Sequence, residues 1–183
     1  MKQSLKQLKR FLKQIIGAIK RLLGIKHQSL SRPARRTISW VIPKKLAVGS
    51  LPQVGVGDEL LKANIKIVFS LCSELEGTLP DDISQNFKCL RLVLPDRHYT
   101  TELTVEQLAQ AVEIVREHLE NDLPVYIHCL AGVERSPTVC IAYLCRYQNL
   151  QLWEAVSWLK QAHPRSMPST SELRVIGEFI QQS

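Results

Sequence analysis

Residues 124–147 constrain the fold more tightly than any other stretch. Pro124 precedes the apolar, largely β-branched run Val125-Tyr126-Ile127, then comes His128-Cys129-Leu130-Ala131-Gly132-Val133-Glu134-Arg135-Ser136, and residues 136–147 are apolar at helical spacing. The short run reads as a buried strand. Pro137 stands where the first turn of a helix accepts proline. A buried strand feeding a helix through a tight, glycine-containing loop belongs to an α/β domain.

That loop has a definite chemistry. Successive N–H groups from Leu130 to Arg135, at the positive end of a helix, can converge on one oxyanion. Val133 and Glu134 complete the loop ahead of Arg135, and Gly132 supplies its turn. The same field lowers the pKa of a thiol, so Cys129 is expected to be a thiolate nucleophile under a bound phosphoryl group. Arg135 offers a planar fork to two phosphate oxygens, a geometry lysine lacks. Ser136 can donate a hydrogen bond to the sulfur as it leaves, and His128 is expected to orient the loop. The plain alternative is a structural cysteine beside a surface arginine; it leaves the strand, the glycine and the helix around them without a reason.

A leaving oxygen needs a proton, and the donor should lie on a separate loop. Asp96 follows the apolar run Leu90–Leu94, with Pro95 ending the expected strand. Its carboxyl would protonate the leaving group and then activate water against the phosphocysteine. An aspartate after proline is also ordinary turn chemistry.

These motifs resemble the cysteine-dependent dual-specificity phosphatases of the protein tyrosine phosphatase superfamily. The resemblance covers about residues 38–182: the opening IPKKLAVGSLP, the signature VYIHCLAGVERSPTVCIAYL, the Asp96 loop, and the trailing helices QLWEAVSWLKQAHP and STSELRVIGEFI. It implies a phosphatase with a shallow site accepting phosphoserine, phosphothreonine or phosphotyrosine in a phosphorylated protein. Two positions depart from the family. Glu134 stands where a small or basic residue is commoner and leaves the loop without lysine, against a polyanionic inositol phosphate. Ser169, after Pro168, replaces a frequent asparagine, which puts a supporting hydrogen bond to the loop in doubt.

The rest of the chain reads as strands near 38–42, 45–48, 66–71 and 90–94, and helices near 57–63, from Thr104 to Leu119, and near 136–147, 151–162 and 170–181. Thr104 with Gln107 forms a capping-box pattern. The expected architecture is one compact α/β domain, with a central, largely parallel sheet flanked by helices over 38–183, plus an N-terminal amphipathic helix. Trp40, Trp153 and Trp158 are expected in the core or an interface. Five cysteines suggest reduced thiols, with Cys89, Cys140 and Cys145 buried. Cys72 ends a strand on the edge that carries Cys129, so it is a candidate redox partner for Cys129 as well as a candidate core residue. No set of residues has metal-ligand spacing, and no cofactor is expected.

The N-terminus is a second unit. Of 24 Lys and Arg, 11 fall in residues 1–36, where there is no acid; the remaining 13 share the chain with all 17 acidic residues. Leu5, Leu8, Leu12, Ile15, Ile16, Ile19, Leu22 and Leu23 share one helical face, with lysines and arginines opposite. Residues 1–25 therefore read as a basic amphipathic helix suited to an anionic membrane surface, and 26–37 as a linker. Packing on its own domain or a partner, or an organelle presequence, are the alternatives. A nucleic-acid partner is not expected. The domain itself is expected to be cytoplasmic, peripheral to a membrane if the helix binds one. Two other classes remain: a catalytically weak phospho-binding module, with Glu134 spoiling turnover, and a sulfurtransferase, whose reactive loop is shorter and needs no upstream acid.

Overall fold

A computed structural model of the chain describes residues 38–96 and 102–182. The segments 1–25 and 26–37, and the stretch directly after Asp96, lie outside the described residues.

Five strands form one sheet: β1 (Ser39–Ile42), β2 (Leu46–Ser50), β3 (Ile67–Ser70), β4 (Lys88–Arg91) and β5 (Val125–Cys129). Their order is β1-β2-β5-β3-β4, with β1 antiparallel to β2 and the other neighbours parallel. The helices are α1 (Gly57–Lys62), α2 (Asp81–Ser84), α3 (Val105–Glu120), α4 (Arg135–Tyr147), α5 (Leu152–Ala162) and α6 (Thr170–Gln181).

Side-chain alternation divides the interior into two layers. Leu46, Val48, Ile67, Phe69, Val125, Ile127 and Cys129 join the larger core with α3, α4, α5 and α6. Ala47, Val68 and Tyr126 point the other way, into a smaller core closed by Leu60 and Ile83. Both faces of the sheet are covered, which is why β5 is buried along its whole length. Ile127, Ile141 and Leu108 have no more than trace exposure, so truncating any of them to alanine should cost roughly 2–5 kcal/mol.

β5 is inserted between β2 and β3, so its C-terminal end is flanked by Gly49 and Ser50 on one side and Leu71 on the other. This crevice outside the carboxyl ends of the strands is where open α/β sheets bind ligands. Helix α3 begins at the Thr104–Gln107 capping box read from the sequence.

Three expectations need correction. The strand expected over 90–94 is β4, at Lys88–Arg91, because its partner β3 ends at Ser70. Beyond it, Leu92 and Leu94 keep single backbone bonds to Ser70 and Leu71. Cys89 is exposed, since β4 is an edge strand; Cys140 and Cys145 are buried as expected. Trp153 is 71% exposed and belongs to no core, and Trp158 is half-exposed, its indole N–H donating to Val41 O at 2.9 Å. The short helix α2 had no counterpart in the sequence reading.

Candidate active site

Cys129 is the last residue of β5 and Arg135 the first of α4, so the five residues between them must reverse the chain. Gly132 makes this feasible with φ +67. A side chain there would meet the backbone of Gly49 at 2.7 Å.

The loop carbonyls are held outward. Leu51 N–H donates to Leu130 O at 3.2 Å and Met167 N–H to Val133 O at 2.8 Å. The His163 ring donates to Gly132 O at 2.7 Å. In a trans peptide the N–H lies opposite the preceding carbonyl, so the N–H groups of Ala131, Val133 and Glu134 turn inward. Outward carbonyls and inward amides make a nest for an anion. The first helical bond of α4, Thr138 N–H to Glu134 O, continues the pattern.

Ser136 Oγ lies 3.4 Å from Cys129 Sγ and 3.3 Å from Gly49 O, so its one proton serves either acceptor. The Arg135 side chain is almost wholly buried. Its guanidinium forks onto Glu76, at 2.6 Å to Oε1 and 3.2 Å to Oε2, and reaches Asp96 Oδ2 at 3.0 Å and the carbonyls of Leu71 and Leu94 at 3.4 Å. Burial opposes the arginine's charge, but Glu76 and the nearby thiols Cys129 and Cys72 more than offset it. For Glu76 too, partial burial works against the charged form, and the bonds from Arg135 and Ser73 outweigh it and hold the carboxyl below its usual range.

His128 is fully buried, and burial pushes its pKa down to about 4. It is neutral at pH 7, with Nδ1 3.4 Å from Cys129 O and Nε2 buried without a hydrogen-bond partner. Cys72 is also fully buried. Burial chiefly pushes its thiol up to about 12; the Arg135 charge opposes this, and Cys129 and Glu76 reinforce it.

A cavity of about 230 Å³ is lined by Asp96, Cys129, Leu130, Ala131, Val133, Glu134 and Arg135. It gathers most of the residues singled out in the sequence, including Asp96 from 33 positions upstream. Gly132, His128, Ser136 and Cys72 are buried and do not line it. Glu134 lines it as a half-buried residue at the N-cap of α4. Ser169 Oγ accepts from Glu172 N–H at 3.2 Å and caps α6, while the loop is braced by Met167 and His163 from the segment just before it. Glu76, His163 and Met167 were not singled out in the sequence. Among the described residues, no group of three or more His, Cys, Asp or Glu is arranged to hold a metal.

A family model described as the dual specificity phosphatase catalytic domain matches residues 47–182. Phosphatidylglycerophosphate phosphatase PTPMT1 of Arabidopsis thaliana is 25% identical over 134 residues, covering 73% of this chain and 40% of that protein. Dual specificity protein phosphatase Mpk3 of Drosophila melanogaster is 29% identical over 142 residues, covering 78% and 34%. The chain thus spans well under half the length of these two curated relatives. Among solved structures, PTPMT1 in complex with PI(5)P superposes with a TM-score of 0.70 at 23% identity, over 80% of this chain and 96% of that one. Tk-PTP in its active form gives 0.71 at 23% identity, over 82% and 100%. At these identities the structural likeness is one of fold.

Proposed function

Because the chain belongs to the dual specificity phosphatase family, we propose that it hydrolyses phosphomonoesters through a cysteinyl-phosphate intermediate. The observation that carries this is the single cavity lined by Cys129, Arg135 and Asp96 together with the inward-turned loop amides. In the first step Cys129 Sγ attacks phosphorus and the P–O bond to the substrate breaks, with Asp96 giving its proton to the departing oxygen. The loop amides and Arg135 stabilise the charge that spreads over the three equatorial oxygens. In the second step Asp96 takes a proton from water, whose oxygen attacks phosphorus. The S–P bond breaks with inorganic phosphate as product, and Ser136 Oγ–H supports the returning thiolate.

The substrate class we propose is phosphorylated protein, at serine, threonine or tyrosine. Exposed Leu130 and Ala131 at the mouth, and a loop without lysine, suit a monoester with a single phosphate. A second reading, a phospholipid monoester, is favoured by the names of the PTPMT1 relatives. It is also favoured by the basic, apolar-striped residues 1–25, which we propose lie on an anionic membrane surface. No described helix is long and apolar enough to cross a membrane.

The test is turnover of para-nitrophenyl phosphate by the full chain beside Cys129→Ser, without added metal. Hydrolysis by the parent and not the variant supports the reading. Phosphate binding without hydrolysis by the parent indicates a phospho-binding module instead. Phosphopeptides and anionic vesicles carrying a phosphomonoester lipid then separate the two substrate classes.

A further inference from the structure

One of the three groups that hold the phosphate loop's carbonyls outward is a side chain. His163 stands at the C-terminal end of α5 and is only 8% exposed. Its Nε2 lies 2.7 Å from Gly132 O and its Nδ1 2.9 Å from Ser39 Oγ in β1. A carbonyl oxygen has no proton to give, so Nε2 carries the hydrogen. In the neutral ring Nδ1 is then a lone pair, and Ser39 Oγ–H donates to it. Burial holds the ring below its ordinary range, with Arg165 and Lys160 acting in the same direction and the bond to Gly132 against it.

Gly132 has no side chain to fix its orientation, and its backbone is pressed against Gly49. The direction of the Gly132–Val133 peptide therefore depends on what its carbonyl meets. We propose that His163 is a positioning residue for the phosphatase reaction. Ser39 selects the tautomer, and the His163 N–H fixes the Gly132–Val133 peptide so that Val133 N–H faces the phosphoryl group. The proposal rests on the phosphatase reading above. It ties the edge strand β1 and the end of α5 to the geometry of a loop neither belongs to, much as outer-shell partners orient the ligands of a metal.

The test compares the full chain with His163→Gln, His163→Leu and Ser39→Ala. The readouts are kcat and KM for para-nitrophenyl phosphate, and the affinity for inorganic phosphate by calorimetry. Glutamine keeps an N–H donor at similar reach; leucine keeps bulk and loses it. His163→Leu should lower kcat and weaken inorganic phosphate binding, each by about tenfold to a hundredfold, as loss of loop geometry does. His163→Gln should restore most of both, and Ser39→Ala should fall between. Unchanged phosphate affinity in His163→Leu, or equal losses in the leucine and glutamine variants, overturns the proposal. Should His163→Leu fail to fold, parent-like values in Ser39→Ala overturn it instead. A parent that binds phosphate but hydrolyses nothing sinks the phosphatase reading, and the phosphate affinities still decide the role of His163.

Discussion

Arg135 and Glu76, 59 residues apart, form a two-pronged pair at 2.6 and 3.2 Å beside the candidate phosphate cradle. The guanidinium donates to Asp96 from the same nitrogen that meets Glu76 Oε1. Glu76 thus anchors one edge of the arginine, while the Asp96 side faces the cavity. An incoming phosphate can take the second edge without the first being lost.

Glu76→Gln keeps an oxygen acceptor and removes the charge. Breaking a buried pair by removing one partner costs about 3–5 kcal/mol, and a neutral acceptor recovers part of that. The expected outcome is a loss of roughly 1–3 kcal/mol in urea unfolding, with a fall of about tenfold in kcat/KM. Glu76 lies below its usual range when folded, so its contribution is present above its unfolded pKa and is lost as pH falls through the folded value. The difference between parent and variant should therefore shrink in acid.

Asp96→Asn should lower kcat by about 10² to 10⁴ for a substrate with a poor leaving group. A general acid works only when protonated, so its removal should flatten the alkaline limb of the kcat/KM profile. Retention of that limb at parental steepness removes Asp96 from the mechanism.

His128 gives the fold an acid sensitivity of its own. Its folded pKa of about 4 is below the ordinary 6.5, so the unfolded chain binds the proton first. Stability contributed above pH 6.5 is lost as pH falls toward 4, amounting to about 2 kcal/mol between pH 7.5 and 5. Urea unfolding at those two pH values, beside His128→Asn, measures it. The variant should show a correspondingly smaller loss.

Cys72 is proposed as the redox partner of Cys129. Peroxide would convert Cys129 to a sulfenic acid, and the Cys72 thiol would displace water from it to close a disulfide, which a dithiol reductant reopens. Parent activity lost to mild peroxide should return with dithiothreitol, whereas Cys72→Ser should remain inactive with Cys129 as sulfinic acid. Equal recovery in both proteins leaves Cys72 as a core residue only.

How much of this was legible in the chain follows from how the parts are connected. The loop from His128 to Ser136 is contiguous and carries its own strand, turn and helix signals, so its shape is written locally. Asp96 was accessible because Pro95 marks a loop after an apolar run. Glu76, His163 and Met167 carry no local signal: an acid after β3 and a His-Pro after α5 look like ordinary surface chemistry. They become part of the site only because β5 is inserted between β2 and β3, and because the segment after α5 returns behind the loop. The strand before Asp96 was displaced because its ladder length is set by β3 and not by its own apolar run. Trp153 stays outside the core because α5 packs on α4 and β1 through its other face, with Ala155 and Leu159 buried.

The most direct test of the account is to trap the intermediate. The full chain is mixed with a phosphomonoester, quenched in acid within the first turnovers, and mapped by mass spectrometry. Phosphate on Cys129, absent from Cys129→Ser, is the predicted result. Steady turnover with no phosphate on Cys129 in any quenched sample would contradict it.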